Sequence, residues 1–129
     1  MRAARRAEGR TPDVTHVLLA EREDGIAVTA IGHAGYAPAG QDIVCAGISA
    51  ILYGGLNYLK QLEQDRGASV RVEIRQGPGL LAFRTSGFAD RLDRTVLGVI
   101  RAGLFDLADA YPKFVSVRYV RLNQNGSLQ

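Results

Sequence analysis

The amino-acid sequence predicts an α+β domain with the element order β-β-α-β-β-α-β, in which two helices pack on one face of a mostly antiparallel sheet. Two observations lead to this fold class. Short segments with alternating apolar residues occur in pairs separated by turn residues, which is typical of β-hairpins. Two longer segments repeat apolar residues at helical spacing, one after each hairpin.

The first hairpin is indicated by Asp24-Gly25, a turn sequence between two alternating segments. The second has Gly77-Pro78-Gly79 at its turn, and its first strand places Val70, Val72 and Ile74 inward. A final alternating segment follows the second helix. The predicted strands are Thr15–Ala20, Ile26–Ile31, Ser69–Arg75, Leu80–Thr85 and Phe114–Leu122.

The first helix is expected to begin after Asp42, a favourable N-cap, and to stop at Gly67. Gly54-Gly55 within it indicates close approach by another element, such as a second subunit. The second helix is expected over Asp90–Ala110, with Asp90, Arg91, Asp93, Arg94 and Arg101 on a solvated face. The predicted buried stripes are Val44, Ile48, Ile51, Leu52, Gly55, Leu59 and Leu62 in the first helix, and Leu92, Val96, Val99, Ile100, Leu104 and Leu107 in the second.

The 129 residues suit one domain, expected over residues 14–122. Residues 1–13 are predicted to be a disordered basic extension, and residues 123–129 a polar tail. The net charge of +3 arises within residues 1–10, and charges balance in the rest of the chain. Nucleic-acid binding by the folded domain is therefore not expected, nor is a membrane span. A single cysteine favours a reducing cytoplasm.

The residues that suggest chemistry lie within residues 32–49. His33 precedes a glycine-containing loop, and Cys45, the only cysteine, follows it in the first turn of the expected helix. A thiol with an ordinary pKa of about 8.5 is mostly protonated at neutral pH. A helix N-terminus and a protonated imidazole both favour the thiolate. Backbone N–H groups of Cys45 and its neighbours could also hold a tetrahedral oxyanion. This arrangement suits a cysteine nucleophile with a histidine base.

Other interpretations of these residues stay open at this point. A lone cysteine on an apolar helix is commonly a buried structural residue. Asp42 could cap the helix or orient the imidazole of His33, and capping is favoured. A metal site made of Cys45, His33 and Asp42 is the weakest interpretation, because a structural zinc needs a fourth ligand.

The segment also resembles the signature of the ribosomal-processing cysteine protease family, Prp. The resemblance implies that Cys45 is the nucleophile and His33 the general base, and that Asp42 is a supporting acidic residue. It makes Gly32 a hinge before the histidine and places Ser49 one turn after the cysteine. The matching residues are Gly32-His33-Ala34, Tyr36-Ala37, Gly40, Asp42-Ile43-Val44-Cys45-Ala46 and Ser49-Ala50.

The resemblance further implies an endopeptidase that removes the N-terminal extension of a bacterial large-subunit ribosomal protein, cutting after a phenylalanine. It implies a homodimer and requires no cofactor or metal. The alternative is a non-catalytic, ribosome-associated module that grips a peptide while Cys45 is structural. An RNA-binding domain is a third possibility, which the charge balance of residues 11–129 disfavours.

Overall fold

The computed structural model describes residues 14–32, 42–123 and 128. The predictions for residues 1–13, the loop between Gly32 and Asp42, and most of the C-terminal tail lie outside these residues. The chain forms strands β1 (Thr15–Glu21), β2 (Ile26–Ile31), β3 (Arg71–Gly77), β4 (Leu80–Ser86) and β5 (Val115–Arg121), and helices α1 (Ile43–Arg66) and α2 (Leu92–Ala110), with a 3₁₀ turn (Gly67–Ser69) after α1.

The five strands form one mixed sheet in the order β3-β4-β2-β1-β5. The β1–β5 pair is parallel, and the other three pairs are antiparallel. Strands β2 and β3 therefore run in the same direction, as do β4 and β5. Helix α1 connects the first of these pairs and α2 the second, as crossover connections require. The predicted α+β fold and mostly antiparallel sheet are confirmed.

The hydrophobic core lies between the two helices and one face of the sheet. Along β1 the side chains of Val17 and Leu19 are buried, while His16 and Leu18 on the other face are exposed, the alternation expected of a sheet covered on one side. Both helices contribute to this single core. The buried helix residues include Val44, Ile48, Leu52, Leu56 and Leu59 of α1 and Val96, Leu97, Ile100 and Leu104 of α2.

Helix α1 begins and ends where its capping residues predict. Asp42 has extended backbone angles and its carboxylate accepts the first-turn N–H of Cys45, while Gly67 ends the helix with a φ of 64°. The apolar stretch Ile43–Ser69 is long enough to cross a membrane by length and composition alone. Core helices of globular domains meet the same criterion, and α1 supplies five residues to the core.

The close approach predicted at Gly54-Gly55 is confirmed for one of the two glycines. A Cβ atom at Gly55 would lie 2.5 Å from Cδ1 of Ile100, so α2 packs directly on the α1 backbone here. A Cβ at Gly54 would meet nothing within 4 Å. The approaching element is therefore α2 of the same chain.

The predictions of a buried Val99 and of a solvated Asp93 and Arg94 in α2 are wrong. Val99 is 70% exposed, whereas Leu97 is only 2% exposed and lies in the core. The buried stripe of α2 follows Val96, Ile100 and Leu104, and Leu97 lies beside it. The helix begins at Leu92, and Asp93 is fully buried instead of solvated. Its carboxylate is satisfied by hydrogen bonds that no helical pattern could indicate.

Those hydrogen bonds join α2 to the sheet. The hydroxyl of Thr85 donates to Oδ2 of Asp93 at 2.5 Å and accepts the backbone N–H of Ile26 at 3.0 Å. The backbone N–H of Arg94 donates to the other carboxylate oxygen at 2.9 Å. Arg94 was also predicted to be solvated, but its side chain is only 14% exposed. A buried carboxylate is tolerated because its oxygens are paired in this way.

Candidate active site

Cys45 lies at the third helical position of α1, where the helix start is fixed by Asp42. Its backbone N–H donates to Oδ1 of Asp42 at 2.9 Å. Its side chain is half-buried: it packs against the core, yet it also lines a surface cleft. The thiol is therefore close to the positive end of a 24-residue helix and is not sealed inside the protein. This is the location that a thiolate nucleophile needs.

The cleft has a volume of about 200 Å³ and an apolar floor. Ala30, Ile48, Leu52 and Leu81 form this floor, and each is less than 8% exposed. An apolar side chain placed beside Cys45 would bury its surface there, at a gain of about 25 cal/mol per Å². The described residues that line the cleft are Thr15, Ala30, Gly32, Cys45, Ile48, Ser49, Leu52, Tyr53, Gly79, Leu80 and Leu81.

Gly32 ends the first hairpin in the wall of this cleft. Its φ is 100°, and a Cβ there would lie 2.4 Å from the carbonyl oxygen of Val14, so only glycine fits without distortion. Its N–H donates to the carbonyl oxygen of Gly79 at 2.9 Å, which ties the end of β2 to the β3–β4 turn. His33 lies outside the described residues, but it follows directly on a residue that lines the same cleft as Cys45.

The other histidine lies on the opposite face of the sheet. Thr15 is buried and lines the cleft, and His16, the next residue of β1, is exposed on the far face. In the sheet His16 is paired with Ile31 and Ser116, away from α1. His16 therefore cannot serve Cys45, which leaves His33 as the only histidine available as its base.

Two of the backbone N–H groups that were expected to hold the oxyanion are engaged by Asp42 in this structure. The N–H of Cys45 is taken by the Asp42 carboxylate, and the N–H of Ala46 donates to the Asp42 carbonyl oxygen at 3.0 Å. Neither donor is directed at an incoming carbonyl. The capping role of Asp42 is confirmed by these bonds. Orientation of His33 by Asp42 remains a prediction, since His33 lies outside the described residues.

Ser49, which the family resemblance singled out, lines the cleft one turn after Cys45 and is exposed. Tyr53 lies one further turn along and was not predicted; its hydroxyl donates to Oε1 of Gln76 at 2.8 Å. Leu80 and Leu81 were not predicted either, because they reach the cleft only through the pairing of β4 with β2. The signal for Tyr53 was available, since residues four apart on a helix share a face.

No group of three or more His, Cys, Asp or Glu side chains is arranged to hold a metal ion within residues 14–32, 42–123 and 128. The chemistry that these residues support is nucleophilic attack by a thiolate on a group held in an apolar cleft.

Comparison with known proteins also indicates cysteine chemistry. The family model for the cysteine protease Prp matches residues 14–116. The ribosomal processing cysteine protease Prp of Mycoplasma pneumoniae is 35% identical over 94 residues, which cover 69% of this chain and 82% of that protein. The crystal structure of an essential ribosomal processing protease Prp from S. aureus with a covalently linked product peptide is 25% identical, with a TM-score of 0.68, and covers 82% of this chain and 99% of that one.

Two further crystal structures share the fold. One is the same S. aureus protease in complex with a substrate peptide, with a TM-score of 0.64 and 24% identity over 82% of this chain and 99% of that one. The other is SMU.848 from Streptococcus mutans, with a TM-score of 0.56 and 23% identity, covering 84% of this chain and 95% of that one.

Proposed function

The chain belongs to the Prp family of cysteine proteases, and on that premise we propose that it removes the N-terminal extension of a bacterial large-subunit ribosomal protein. The single observation that best supports the proposal is the position of Cys45. It lies half-buried in the first turn of α1 and lines an apolar cleft that is also lined by Gly32, the residue before His33.

In the proposed mechanism Cys45 is the nucleophile and His33 the general acid–base. His33 holds the proton of the thiol, and the thiolate sulfur attacks the scissile carbonyl carbon. The C–N bond then breaks, and the leaving amine takes the proton from His33. Water, deprotonated by His33, hydrolyses the thioester and restores the thiol. Asp42 supports this chemistry by fixing the helix start at which the sulfur is held.

The floor of the cleft supports an apolar residue next to the scissile bond. Ile48, Leu52 and Leu81 offer it dispersion contacts and no hydrogen-bond partner from their side chains. A charged side chain there would lose its hydration without compensation. We therefore propose that the cleft receives the phenylalanine that precedes the cut, and that Gly32 and Ser49 lie along the bound peptide.

Cleavage of a synthetic peptide spanning the ribosomal-protein extension tests the proposal, with products identified by mass spectrometry. Cys45→Ala should abolish cleavage, and His33→Ala should lower kcat/KM by about 10²–10⁴-fold. The matched control is His16→Ala, which alters a histidine on the opposite face and should retain full activity. Equal cleavage by the Cys45→Ala variant would remove the mechanism.

Thiol alkylation distinguishes the protease from a peptide-binding module. A thiolate stabilised at Cys45 should react with iodoacetamide near neutral pH faster than free cysteine does, and peptide product should slow the reaction. An inert thiol in a protein that still binds the peptide would assign the chain to the binding module instead.

We also propose that the protein is a cytoplasmic homodimer. Leu18 and Ile31 are 41% and 53% exposed on the uncovered face of the sheet, which supports burial against a second copy. A reducing cytoplasm would keep the single Cys45 as a thiol. Sedimentation velocity of the full chain, with Leu18→Glu as the disrupting variant, tests the dimer, and a monomer at all concentrations would contradict it.

A further inference from the structure

A second cavity lies at the opposite end of the sheet from Cys45. Its volume is about 250 Å³, and four arginines and two glutamates line it together with one apolar residue. Strand β1 links the two sites, since Thr15 at its start lines the Cys45 cleft and Glu21 at its end lines this cavity. At about 3.3 Å per residue the sites are some 20 Å apart. The lining comprises Glu21, Arg22, Glu23, Arg91, Arg94, Arg121 and Leu122.

The arginines gather around Glu21 without hydrogen bonding to it. Arg91, Arg94 and Arg121 approach its carboxylate oxygens at 3.9, 3.8 and 3.8 Å, beyond hydrogen-bond distance. The hydrogen bond that this carboxylate does accept comes from the hydroxyl of Tyr119, at 2.7 Å. One carboxylate therefore faces three guanidinium groups, and its single charge cannot neutralise them.

Other acids lie beside this cluster. Glu23 lines the cavity, Arg22 lies 3.6 Å from Asp24, and Nη1 of Arg94 lies 3.6 Å from Asp93. Among the described residues, Glu21 is the one acidic partner within 4 Å of Arg91 and of Arg121, and both arginine side chains are more than 60% exposed at the cavity. Two exposed guanidinium groups thus flank the opening, each held to Glu21 only at 3.8–3.9 Å.

The base of the cavity is rigid. Nη2 of Arg94 donates to the carbonyl oxygens of Arg22 and Glu23, at 2.5 and 2.9 Å, which fixes the guanidinium against the β1–β2 turn. Its Nε is buried and makes no hydrogen bond within the part of the chain that the structure describes. The nearest acidic oxygen to this Nε is Oε1 of Glu21, at 3.8 Å, so Arg94 holds the inner wall of the cavity while Arg91 and Arg121 lie exposed at its opening.

Arg91 is also held in an unusual conformation. It is the one non-glycine residue with a positive φ, 61°, among the described residues, and it immediately precedes α2. This left-handed conformation costs about 1 kcal/mol for an arginine. This conformation places Arg91 beside the end of β1. The turn into α2 therefore brings the arginine side chain to the cavity at a cost in stability.

From these observations we propose that this cavity is a binding site for a compact phosphate-bearing anion. Arg91 and Arg121 close over its oxygens, and Arg94 supports the cavity from below. Within the described part of the chain, the lining of this cavity holds no aromatic ring for a nucleobase, and Leu122 is its apolar member. The ligand is therefore recognised by its phosphate oxygens, whether it is a free diphosphate or the diphosphate of a nucleotide.

Calorimetric titration of the full chain with inorganic pyrophosphate tests the proposal, at constant ionic strength and with ADP as the second ligand. Pyrophosphate should bind saturably at submillimolar concentration. Comparable binding of ADP would identify the nucleotide diphosphate as the source, whereas exclusion of ADP would identify a free diphosphate. Either result supports the site, and no saturable binding of either ligand would overturn it.

Three variants separate anion binding from a structural role for the cluster. Arg91→Asn combined with Arg121→Gln removes two cations, and asparagine tolerates the left-handed backbone, so affinity should fall at least about tenfold. Glu21→Gln keeps the shape and removes a competing negative charge, so affinity should rise about tenfold. Arg75→Gln on β3, an exposed arginine away from the cavity, is the control and should change nothing.

A purely structural cluster gives the opposite pattern. Glu21→Gln would then lower the thermal stability and leave pyrophosphate affinity unchanged, and the double variant would bind as the parent does. Peptide cleavage by the double variant should equal that of the parent, because the cavity is remote from Cys45. Failure of pyrophosphate binding would therefore leave the protease proposal intact.

Discussion

Replacing Gly55 by alanine should destabilise the protein, whereas the same replacement at the adjacent Gly54 should stabilise it. A Cβ atom at position 55 would lie 2.5 Å from Cδ1 and 2.9 Å from Cγ1 of Ile100, and 3.3 Å from Cγ1 of Val96. Ile100 is 1% exposed and Val96 is 8% exposed, so neither has open space to move into. Position 54 has no neighbour within 4 Å.

The two substitutions share one energetic contribution and differ in the other. Alanine is favoured over glycine inside a helix by about 1 kcal/mol, and this gain applies to both positions. Overpacking a filled core costs about 1–3 kcal/mol, and this applies at position 55 alone. Gly54→Ala should therefore raise the free energy of unfolding by about 0.5–1 kcal/mol. The free energy of unfolding of the Gly55→Ala variant should be about 1–3 kcal/mol lower than that of the Gly54→Ala variant.

Urea unfolding of both variants, followed by circular dichroism, measures the difference directly. The midpoints should separate while the m-values stay equal, because both native states bury the same surface. Equal stabilities for the two variants would refute the argument, because they would show that α2 moves away from α1 at no cost.

Three other predictions concern the ends of helices and the buried network. Asp42→Ala should lower the free energy of unfolding by about 1 kcal/mol through loss of the N-cap, and Asp42→Asn should retain most of it, by urea unfolding. Thr85→Val should cost about 2–4 kcal/mol because it deprives the buried carboxylate of Asp93 and a backbone N–H of a partner, while Thr85→Ser keeps the hydroxyl. The hydrogen bond from Arg66 lowers the pKa of Asp90 below its ordinary value of 3.8, so this pair stabilises the fold above that pH and loses its effect as the pH falls through the lowered value. Tm measured from neutral to acidic pH should therefore fall less steeply for Asp90→Asn than for the parent.

Much of the fold was predictable because it depends on local information. The start of α1 follows from Asp42, its end from Gly67, and the turn between β3 and β4 from Gly77-Pro78-Gly79. Cys45 and its helix start are neighbours in sequence, so the placement of the sulfur also needed no knowledge of the tertiary structure. The apolar alternation of β1 and β2 then decided which face of the sheet is covered.

The errors concern residues whose environment is set by distant parts of the chain. The sequence pattern places Asp93 on the solvated face of α2. In the structure Thr85, eight residues earlier on β4, gives the buried carboxylate a hydrogen-bond partner. Val99 fits the helical stripe within the tolerance of a hydropathy pattern, yet α2 meets α1 through Val96 and Ile100, and Leu97 lies in the core instead of Val99. Neither result could be obtained without knowing how α2 packs on the sheet and on α1.

The walls of the active-site cleft depend on sheet register in the same way. Pairing of Ile31 with Leu80 brings the end of β2 to the start of β4, and the hydrogen bond from Gly32 to Gly79 continues this pairing by one residue. In this register Leu81 faces inward and joins the floor beside Cys45. A shift of one residue would turn Leu81 to the opposite face and open the floor to solvent. The helix start can activate a thiol by itself, but the apolar floor that would hold a substrate beside it exists because β4 pairs with β2 in this one register.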